Sequence, residues 1–275
     1  MIVTLTTDFG TRDGYVAAMK GAMLSAVPGL TLVDVTHEVP AQDVMEAAFV
    51  LRQAVGFFPA DTVHLAVVDP GVGTARKAIA ARFEVDGRSY GFVGADNGLL
   101  SLLAGGDAVE AAVELDAPEA WRSPEPSATF HGRDVFGPVA ARLSAGAVLD
   151  DVGTPIDVVT PMHWPLPRTD DQGIDGMVLH VDHFGNCITN ITAADLARAG
   201  NDRGVKCYAG SAVIQNHAGT YGATASGEPV TLVGSSGYVE IAVNRGHAAS
   251  LLSIQRGAPV KLVFDSPRAS TLTSP

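Results

Sequence analysis

The sequence predicts an α/β fold, with an N-terminal α/β domain built on a mostly parallel sheet and a small C-terminal β-barrel domain. Up to about residue 150, strand-like and helix-like segments alternate, as they do where helices cover a parallel sheet. A proline-rich stretch comes next, and short β-rich segments follow it, as in small barrels and sandwiches. These observations place the α/β domain at residues 1–154, a linker at 155–174 and the β-barrel domain at 175–275.

The elements of the first domain follow from hydrophobic patterning and capping signals. Strands are expected at 2–9, 30–35 and 63–68, and the last is nearly all apolar, as for a strand buried on both faces. Helices are expected at 13–26, which its first residue would cap, and at 44–55. The remaining elements are two strands around the Asp86-Gly87 turn, at 78–85 and 89–93, and helices at 99–103 and 135–143.

The second half of the chain has few helix signals. Four prolines within residues 155–167 exclude a helix or an inner strand there. Beyond them only residues 193–199 are expected to be helical. Short strands separated by Gly, Asn and Ser turns are expected at 177–181, 205–208, 212–215, 230–233, 238–243 and 260–264.

Composition and charge narrow the classes of partner. The net charge is −12, and no Lys/Arg cluster interrupts it, so nucleic acid and anionic membranes are poor partners. The chain shows no apolar run of transmembrane length and no basic, cleavable N-terminus, so we expect a cytoplasmic protein with no membrane partner. Cys187 and Cys207 lack CxxC spacing and are expected to be buried small hydrophobic residues, not zinc ligands.

Carboxylates follow the predicted strands of the first domain. Asp8 ends the first strand, Asp69 ends the third and enters a Pro/Gly turn that leads to Arg76, and Asp96 follows another apolar run. In a parallel sheet Asp8 and Asp69 share the carboxyl edge, where open α/β folds bind ligands. A carboxylate there can accept hydrogen bonds from both hydroxyls of a ribose. Turn formation, or capping by Asp8, would explain the same residues without a ligand.

A second polar cluster spans residues 130–134, between a proline-rich loop and an apolar helix. Asp134 is expected to be the N-cap of that helix. His131 lies in a loop, where functional residues concentrate, although a structural histidine is an equal alternative. His37 and His64 are expected to be structural.

In the C-terminal domain, polar residues stand where strands end. Asp182 can accept from an ammonium group, Asn186 offers the donor and acceptor that an adenine edge needs, and Phe184 can stack on a flat base. The Gly/Ser loop around Ser235 could hold a carboxylate through hydroxyls and amides. Plain turns explain both segments equally well.

Taken together and in order, these clusters resemble the S-adenosyl-L-methionine (SAM) hydroxide adenosyltransferases. These are the adenosine-forming SAM hydrolases, relatives of the 5′-fluorinases and 5′-chlorinases. The resemblance runs from residue 3 to about residue 263. It is carried by blocks at 7–10, 13–16, 69–76, 95–100, 130–134, 182–186 with 189–191, and 237–244.

The resemblance implies a homotrimer, with SAM held between the first domain of one subunit and the second domain of its neighbour. It implies SAM as the substrate, no cofactor and no metal. The catalytic triad of the family falls on Asp69, Arg76 and His131. The implied substrate-binding residues are Asp8 for the ribose, Asp182 for the methionine amino group, Phe184 and Asn186 for adenine, Ser235 for the methionine carboxylate, and Glu240 and Val243 in the last block, Val243 through its backbone.

The implied reaction is attack of water on C5′ of SAM, giving adenosine and L-methionine. Asp69 and His131 would accept from the water, and Arg76 would hold the carboxylate or the incipient hydroxide. The halogenating relatives lack an acid at the position of Asp69, so a carboxylate there favours water over halide. The alternatives are a SAM-dependent 5′-halogenase, a calcium-dependent nucleoside hydrolase and a non-catalytic SAM or adenosine sensor.

Overall fold

The computed structural model describes residues 1–105, 109–200 and 204–265. The chain divides into two compact units, a first unit at Met1–Trp164 and a second unit that begins at Pro165. The boundary lies inside the predicted linker. The first half of that segment belongs to the first unit, because Ile156, Met162 and Trp164 pack against its core.

The first unit is a sheet with helices on both faces. Its strands are β1 (Ile2–Thr7), β2 (Thr31–Thr36), β3 (Val63–Val67), β4 (Ala78–Val85), β5 (Arg88–Ala95), β6 (Val109–Glu114) and β7 (Thr154–Pro155). Its α-helices are α1 (Tyr15–Ala26), α2 (Val44–Val55), α3 (Leu99–Ala104) and α4 (Gly137–Ser144), and a π-helical turn at Gly132–Phe136 leads into α4.

The sheet of the first unit is mixed, in the order β2-β1-β3-β5-β4-β6-β7. Strands β2, β1, β3 and β5 pair in parallel, whereas the pairings of β4 with β5, β4 with β6 and β6 with β7 are antiparallel. The prediction of a mostly parallel sheet is therefore wrong. The sheet is mixed because of the turn between β4 and β5. Asp86 and Gly87 there both have positive φ (51° and 73°) and close a tight hairpin, whose strands can only be antiparallel.

Two apolar clusters sandwich this sheet. Helices α1 and α4 contribute Met19, Met23 and Val139 to one face, and α2 and α3 contribute residues such as Leu51 and Leu102 to the other. Strand β3 is buried along its whole length and supplies side chains to both clusters, which confirms the prediction from its continuous apolar run.

Two predicted helix caps are wrong. Helix α1 begins after Gly14 and has no side-chain cap, so Asp13 does not cap it. Asp134 lies within the π-helical turn and is buried among arginines, because ion pairing satisfies its carboxylate better than a capping position would. Helix α2 does carry a cap, since the Asp43 carboxylate accepts from the Glu46 N–H at 3.0 Å.

The second unit is an antiparallel, barrel-like sheet. Its strands are β8 (Arg168–Thr169), β9 (Gly173–Val181), β10 (Cys187–Thr192), β11 (Val205–Ala209), β12 (Ala212–Ile214), β13 (Pro229–Val233), β14 (Tyr238–Val243) and β15 (Pro259–Phe264), and its helices are α5 (Ala193–Gly200) and α6 (Ala248–Leu251). The strand order is β12-β11-β15-β9-β10-β14-β13, with β8 paired to β9. Cys187 and Cys207 lie fully buried in its core, as predicted.

Bilayer crossing by a helix needs a long and apolar segment. Among the helices in the described ranges, none has both the length and the apolar character for it.

Candidate active site

The carboxyl ends of β1 and β3 bring two predicted site residues to one edge of the sheet. Thr7 and Val67 are register partners in this parallel pair, so Asp8 and Asp69 follow their strands at the same edge, as expected. A cavity of about 230 Å³ opens at this edge. Its lining includes Asp8, Phe9, Gln42, Asp69, Phe130 and His131.

Asp69 and His131 line this cavity, and hydrogen bonds from Arg76 join them into one cluster. Arg76 Nε donates to both carboxylate oxygens of Asp69 at 3.0 Å, and Arg76 Nη2 also donates to Oδ2. The same Nη2 donates to His131 Nδ1 at 2.8 Å. The Asp69 side chain is 5% exposed and that of Arg76 11%, so this charge-assisted pairing is largely shielded from water. The structure thus joins all three residues of the predicted triad.

The glycine turn after β3 gives Arg76 its direction. Gly73 has φ of 76°, a left-handed conformation that strains any residue with a Cβ. A Cβ at this position would lie 2.6 Å from the carbonyl oxygen of Ala128. The turn can therefore approach the loop before His131 only because Gly73 has no side chain.

An aromatic ring underlies the cluster. The Arg76 guanidinium carbon lies 5.3 Å from the centroid of Phe136, and the His131 ring meets the same ring edge-on at 6.2 Å. Phe136 is fully buried and forms a cation–π contact that limits where the guanidinium can move. Sequence reasoning missed this residue, since nothing distinguishes Phe136 from the other apolar residues of its helix.

The contact with Arg76 determines the tautomer of His131. A guanidinium can only donate, so Nδ1 must accept, and the proton of the neutral ring lies on Nε2. Burial and the charge of Arg76 lower the pKa of His131, while Asp69 and Asp134 oppose that shift. In this arrangement the neutral imidazole offers the cavity a donor, so Asp69 is left as the acceptor of the two.

Asp134 holds the segment that carries His131. Its buried carboxylate accepts from Arg122 Nε at 2.7 Å, from Arg133 Nε and Nη2 at 2.7 Å, and from the Ser127 N–H at 3.0 Å. The Arg133 hydrogen bond, assisted by those of Ser127 and Arg122, outweighs burial and holds the pKa of Asp134 well below its usual range. These donors tie both sides of the loop to one point, so residues 127–134 keep a defined path.

Asp8 presents its carboxylate to the cavity with one oxygen already engaged. Its Oδ2 accepts from the Gln42 N–H at 2.8 Å, and Gln42 has a positive φ of 68°. No hydrogen bond to Oδ1 is found among the described residues, so this oxygen can meet a ligand hydroxyl. Asp96, the third strand-end acid, is not part of the cavity lining. Its carboxylate accepts from the Thr160 N–H at 2.7 Å.

In the second unit, Asp182 and Asn186 close the loop between β9 and β10. The Asn186 backbone N–H donates to Asp182 Oδ1 at 2.8 Å, and its side-chain amide donates to Oδ2 at 2.9 Å. Phe184, between them, is 73% exposed. The predicted contact residues of this loop are therefore together, and the exposed ring of Phe184 meets the His183 ring edge-on at 5.6 Å.

Glu240 lies on β14 and is 5% exposed. Desolvation and the charge of Asp182 raise the pKa of Glu240, opposed by a hydrogen bond from the Tyr221 hydroxyl at 2.7 Å. Ser235 is exposed in the β13–β14 turn. Val243 is buried, and its carbonyl accepts from the Gly246 N–H at 2.9 Å. Sequence reasoning missed Tyr221, which no pattern around it distinguishes.

Fold and site define a protein with an α/β unit, a β-barrel-like unit, and a cavity with an Asp–Arg–His cluster at a strand edge. The chain belongs to the SAM hydroxide adenosyltransferase family. The model of the family's N-terminal domain matches residues 3–153, and that of its C-terminal domain matches residues 176–261.

Proteins similar to this chain include (R)-S-adenosyl-L-methionine hydrolases and fluorinases. The chain is 45% identical over 258 residues to a Salinispora tropica protein named (R)-S-adenosyl-L-methionine hydrolase, covering 93% of this chain and 95% of the relative. A Thermus thermophilus protein of the same name is 40% identical over 269 residues, 95% of this chain and 99% of the relative. An Actinoplanes protein named fluorinase is 33% identical over 222 residues, 72% of this chain and 74% of the relative.

Solved structures share the fold. A conserved, uncharacterized protein from Thermotoga maritima matches with a TM-score of 0.89 at 35% identity, covering 96% of this chain and all of the other. A conserved hypothetical protein from Thermus thermophilus matches with a TM-score of 0.75 at 38% identity, covering 95% of this chain and 99% of the other.

Proposed function

We propose that this protein hydrolyses (R)-S-adenosyl-L-methionine to adenosine and L-methionine. The observation that carries the proposal is that Asp69 and His131, which line the same cavity as Asp8, are joined by hydrogen bonds from Arg76. Family membership and the names of the relatives support the same activity and the R epimer.

Hydrolysis at C5′ requires a positioned water, and the thioether leaves without protonation by an acid. The water oxygen forms a bond to C5′, the C5′–S bond breaks, and its electron pair stays on sulfur as the neutral thioether of methionine. The proton released by the water passes to the carboxylate of Asp69. Positive charge on sulfur disappears as the bond breaks, so a shielded cavity favours the transition state over the charged substrate.

Each member of the cluster has a separate role in this proposal. Asp69 orients the water and accepts its proton. Arg76 fixes the carboxylate through two donors, and His131, with its proton on Nε2, donates to the water or the forming hydroxyl group. Because four hydrogen bonds hold the arrangement, the attack line toward C5′ is set before the substrate binds.

The remaining predicted residues are proposed to bind the substrate. Asp8 accepts from the ribose through Oδ1. In the second unit Asp182 accepts from the methionine ammonium, Phe184 and Asn186 contact adenine, and Ser235 contacts the methionine carboxylate. We propose Glu240 and the backbone of Val243 as further substrate contacts. SAM would bind between subunits of a homotrimer, and the cytoplasmic location predicted from the sequence stays a prediction.

The fluorinase relative makes 5′-halogenation the second candidate function. A halide in the nucleophile position would face the carboxylate of Asp69, and two like charges at contact distance repel each other. Water pays no such cost and can donate to the same carboxylate. The position of Asp69 in the cavity lining therefore favours hydrolysis.

Incubation of the purified protein with separated R and S epimers of SAM, with and without chloride or fluoride, tests the proposal. Chromatography should show equal amounts of adenosine and methionine, formed from the R epimer and unaffected by halide. Faster release of a 5′-halo-adenosine would support the halogenase instead. Binding of SAM with no product over hours would support a sensor.

The reaction as written uses no cofactor or metal. The described residues contain no group of three or more His, Cys, Asp or Glu side chains arranged to hold a metal ion. Activity that persists after treatment with a chelator would agree with this proposal. Activity lost on chelation and restored by calcium would favour the nucleoside-hydrolase alternative.

A further inference from the structure

Two threonines of strand β1 form buried hydrogen-bonded pairs with histidines, and the two pairs have different surroundings. Thr4 Oγ1 lies 2.7 Å from His64 Nδ1, and Thr7 Oγ1 lies 2.9 Å from His37 Nδ1. Both threonines are fully buried. Aromatic rings pack against the Thr4 pair, and no partner of His64 Nε2 is found among the described residues. Thr7, in contrast, directly precedes Asp8.

The Thr7 pair belongs to a chain of polar contacts that reaches the surface. His37 Nε2 lies 3.0 Å from Asp34 Oδ1, although the two atoms are not aligned as a regular hydrogen bond. Asp34 Oδ2 in turn accepts from Lys20 Nζ at 2.7 Å. Because a carboxylate can only accept, the proton of the neutral His37 ring belongs on Nε2, and Nδ1 accepts from the Thr7 hydroxyl.

The inner end of this chain is the turn that carries Asp8. Thr7 Oγ1 also accepts from the Phe9 N–H at 3.3 Å, so the hydroxyl before Asp8 is hydrogen-bonded to the residue after it. The Gly10 N–H donates to the carbonyl of His37 at 2.7 Å, and the Val39 N–H donates to the carbonyl of Thr7 at 3.4 Å. The segment around His37 therefore holds both the hydroxyl and the backbone of the Asp8 turn.

We propose that Thr7 and His37 are positioning residues for ribose recognition, which aim the free oxygen of Asp8 into the cavity. The proposal rests on the proposed contact between Asp8 and the ribose hydroxyls. Gln42 holds one carboxylate oxygen through its backbone N–H, and Thr7 and His37 fix the backbone on which that carboxylate stands. His37, expected from the sequence to be only structural, thereby acts on substrate affinity.

The two Thr–His pairs supply a matched control within one strand. Thr7→Val and Thr4→Val each remove one buried hydroxyl, keep the side-chain shape and leave one histidine nitrogen without its partner. Only Thr7→Val also removes the acceptor of the Phe9 N–H. Thr7→Ser restores the hydroxyl, so it distinguishes loss of the hydrogen bonds from loss of packing.

The test measures binding of adenosine and of 2′,3′-dideoxyadenosine, which lacks both ribose hydroxyls, by calorimetry. We expect Thr7→Val to weaken the binding of adenosine by about three- to tenfold, which corresponds to one or two net hydrogen bonds. The affinity for dideoxyadenosine should stay unchanged. Thr7→Ser should restore adenosine binding, and Thr4→Val should bind both ligands as the unaltered protein does. Equal weakening of both ligands by Thr7→Val, or the same adenosine loss in Thr4→Val, would overturn the proposal.

Two further variants separate this proposal from the function on which it rests. Asp8→Ala should abolish the preference for adenosine over dideoxyadenosine. If it leaves the preference intact, the ribose contact itself is wrong. If Asp8→Ala removes the preference for adenosine and Thr7→Val does not reduce it, only the positioning role of Thr7 and His37 is wrong. Should Thr7→Val fail to fold, Asp34→Ala removes the acceptor that faces His37, at a side chain 44% exposed, and must reduce the preference for adenosine over dideoxyadenosine.

Discussion

At the residue scale, the central feature is the carboxylate of Asp69, which Arg76 holds in place beside the hydrogen-bond donor His131. Arg76 holds both oxygens of Asp69 and the Nδ1 atom of His131. A water between Asp69 and His131 would thus meet one acceptor and one donor, which orients its lone pair. Orientation of this kind reduces the entropy that the attack must otherwise lose.

Replacing Asp69 by Ala should lower kcat by about 10²- to 10⁴-fold, the usual contribution of a positioned base, while adenosine still binds. Steady-state kinetics and calorimetry measure the two effects. Asp61→Ala is the matched control, because it removes another Asp–Arg pair, with Arg82, at a side chain 76% exposed. Asp61→Ala should keep full activity, and an Asp69→Ala protein with normal kcat would exclude Asp69 as the base.

The pH dependence of activity should report His131. Burial and Arg76 lower its pKa, so the ring stays neutral to below the ordinary value of about 6.5. Protonation at lower pH would place a hydrogen on Nδ1 and repel Arg76. We therefore expect kcat/KM to fall only as pH drops below that value, and His131→Asn to lose this step along with much of its activity. A loss that begins clearly above pH 6.5 would contradict this assignment.

At the element scale, the turn after β3 is the part of the fold that builds the site. It reverses the chain so that Arg76, on its far side, reaches the loop before the π-helical turn. Gly73 makes the approach possible, with a carbonyl oxygen of that loop 2.6 Å from where its Cβ would be. Sequence reasoning identified the turn by its glycines, but not the element that it approaches.

Gly73→Ala should therefore damage both stability and catalysis. The left-handed conformation alone costs about 1–2 kcal/mol, and the clash with Ala128 should also displace the loop that carries His131. Gly29→Ala is the matched control, because Gly29 has φ of 84° and open space around its Cβ direction. The temperature of thermal unfolding should drop for both variants, whereas kcat should drop only for Gly73→Ala. Equal kcat in the two variants would show that the close approach does not matter for catalysis.

Periodic elements were predictable, and those that depend on pairing were not. Residues 44–55, 78–85 and 238–243 form the elements expected of them, with the same ends. Strand β6 was missed, because its Ala- and Glu-rich sequence has weak strand propensity and gains order from pairing with β4. Strand β10 was missed because its polar residues resembled a site more than a strand.

At the scale of the whole molecule, the chain carries two sets of candidate contacts on two compact units. The catalytic cluster and Asp8 belong to the first unit, and Asp182, Asn186 and Glu240 belong to the second. The sequence could identify Asp8, Asp69, Asp182 and Asn186, since each stands next to a strand end. Glu240 lies within β14 and was identified only through the family resemblance. The sequence could not provide Phe136, Tyr221 or the Thr7–His37 contacts, because these depend on which distant segments the fold brings together.

The proposed homotrimer predicts a mass in solution of three times the 28.4 kDa chain. Light scattering coupled to size-exclusion chromatography measures this mass directly. If sites form between subunits, activity per chain should fall when dilution lowers the measured mass. A monomer with full activity would contradict both the trimer and the shared site.

The central claim is that water, activated at Asp69, forms the new bond to C5′. The most direct measurement is the mass of adenosine produced from SAM in water enriched in the heavy oxygen isotope. The account predicts one heavy oxygen per adenosine, located at the 5′ position, and almost no product from the Asp69→Ala protein. Adenosine without the label, or labelled product at an equal rate from Asp69→Ala, would contradict it.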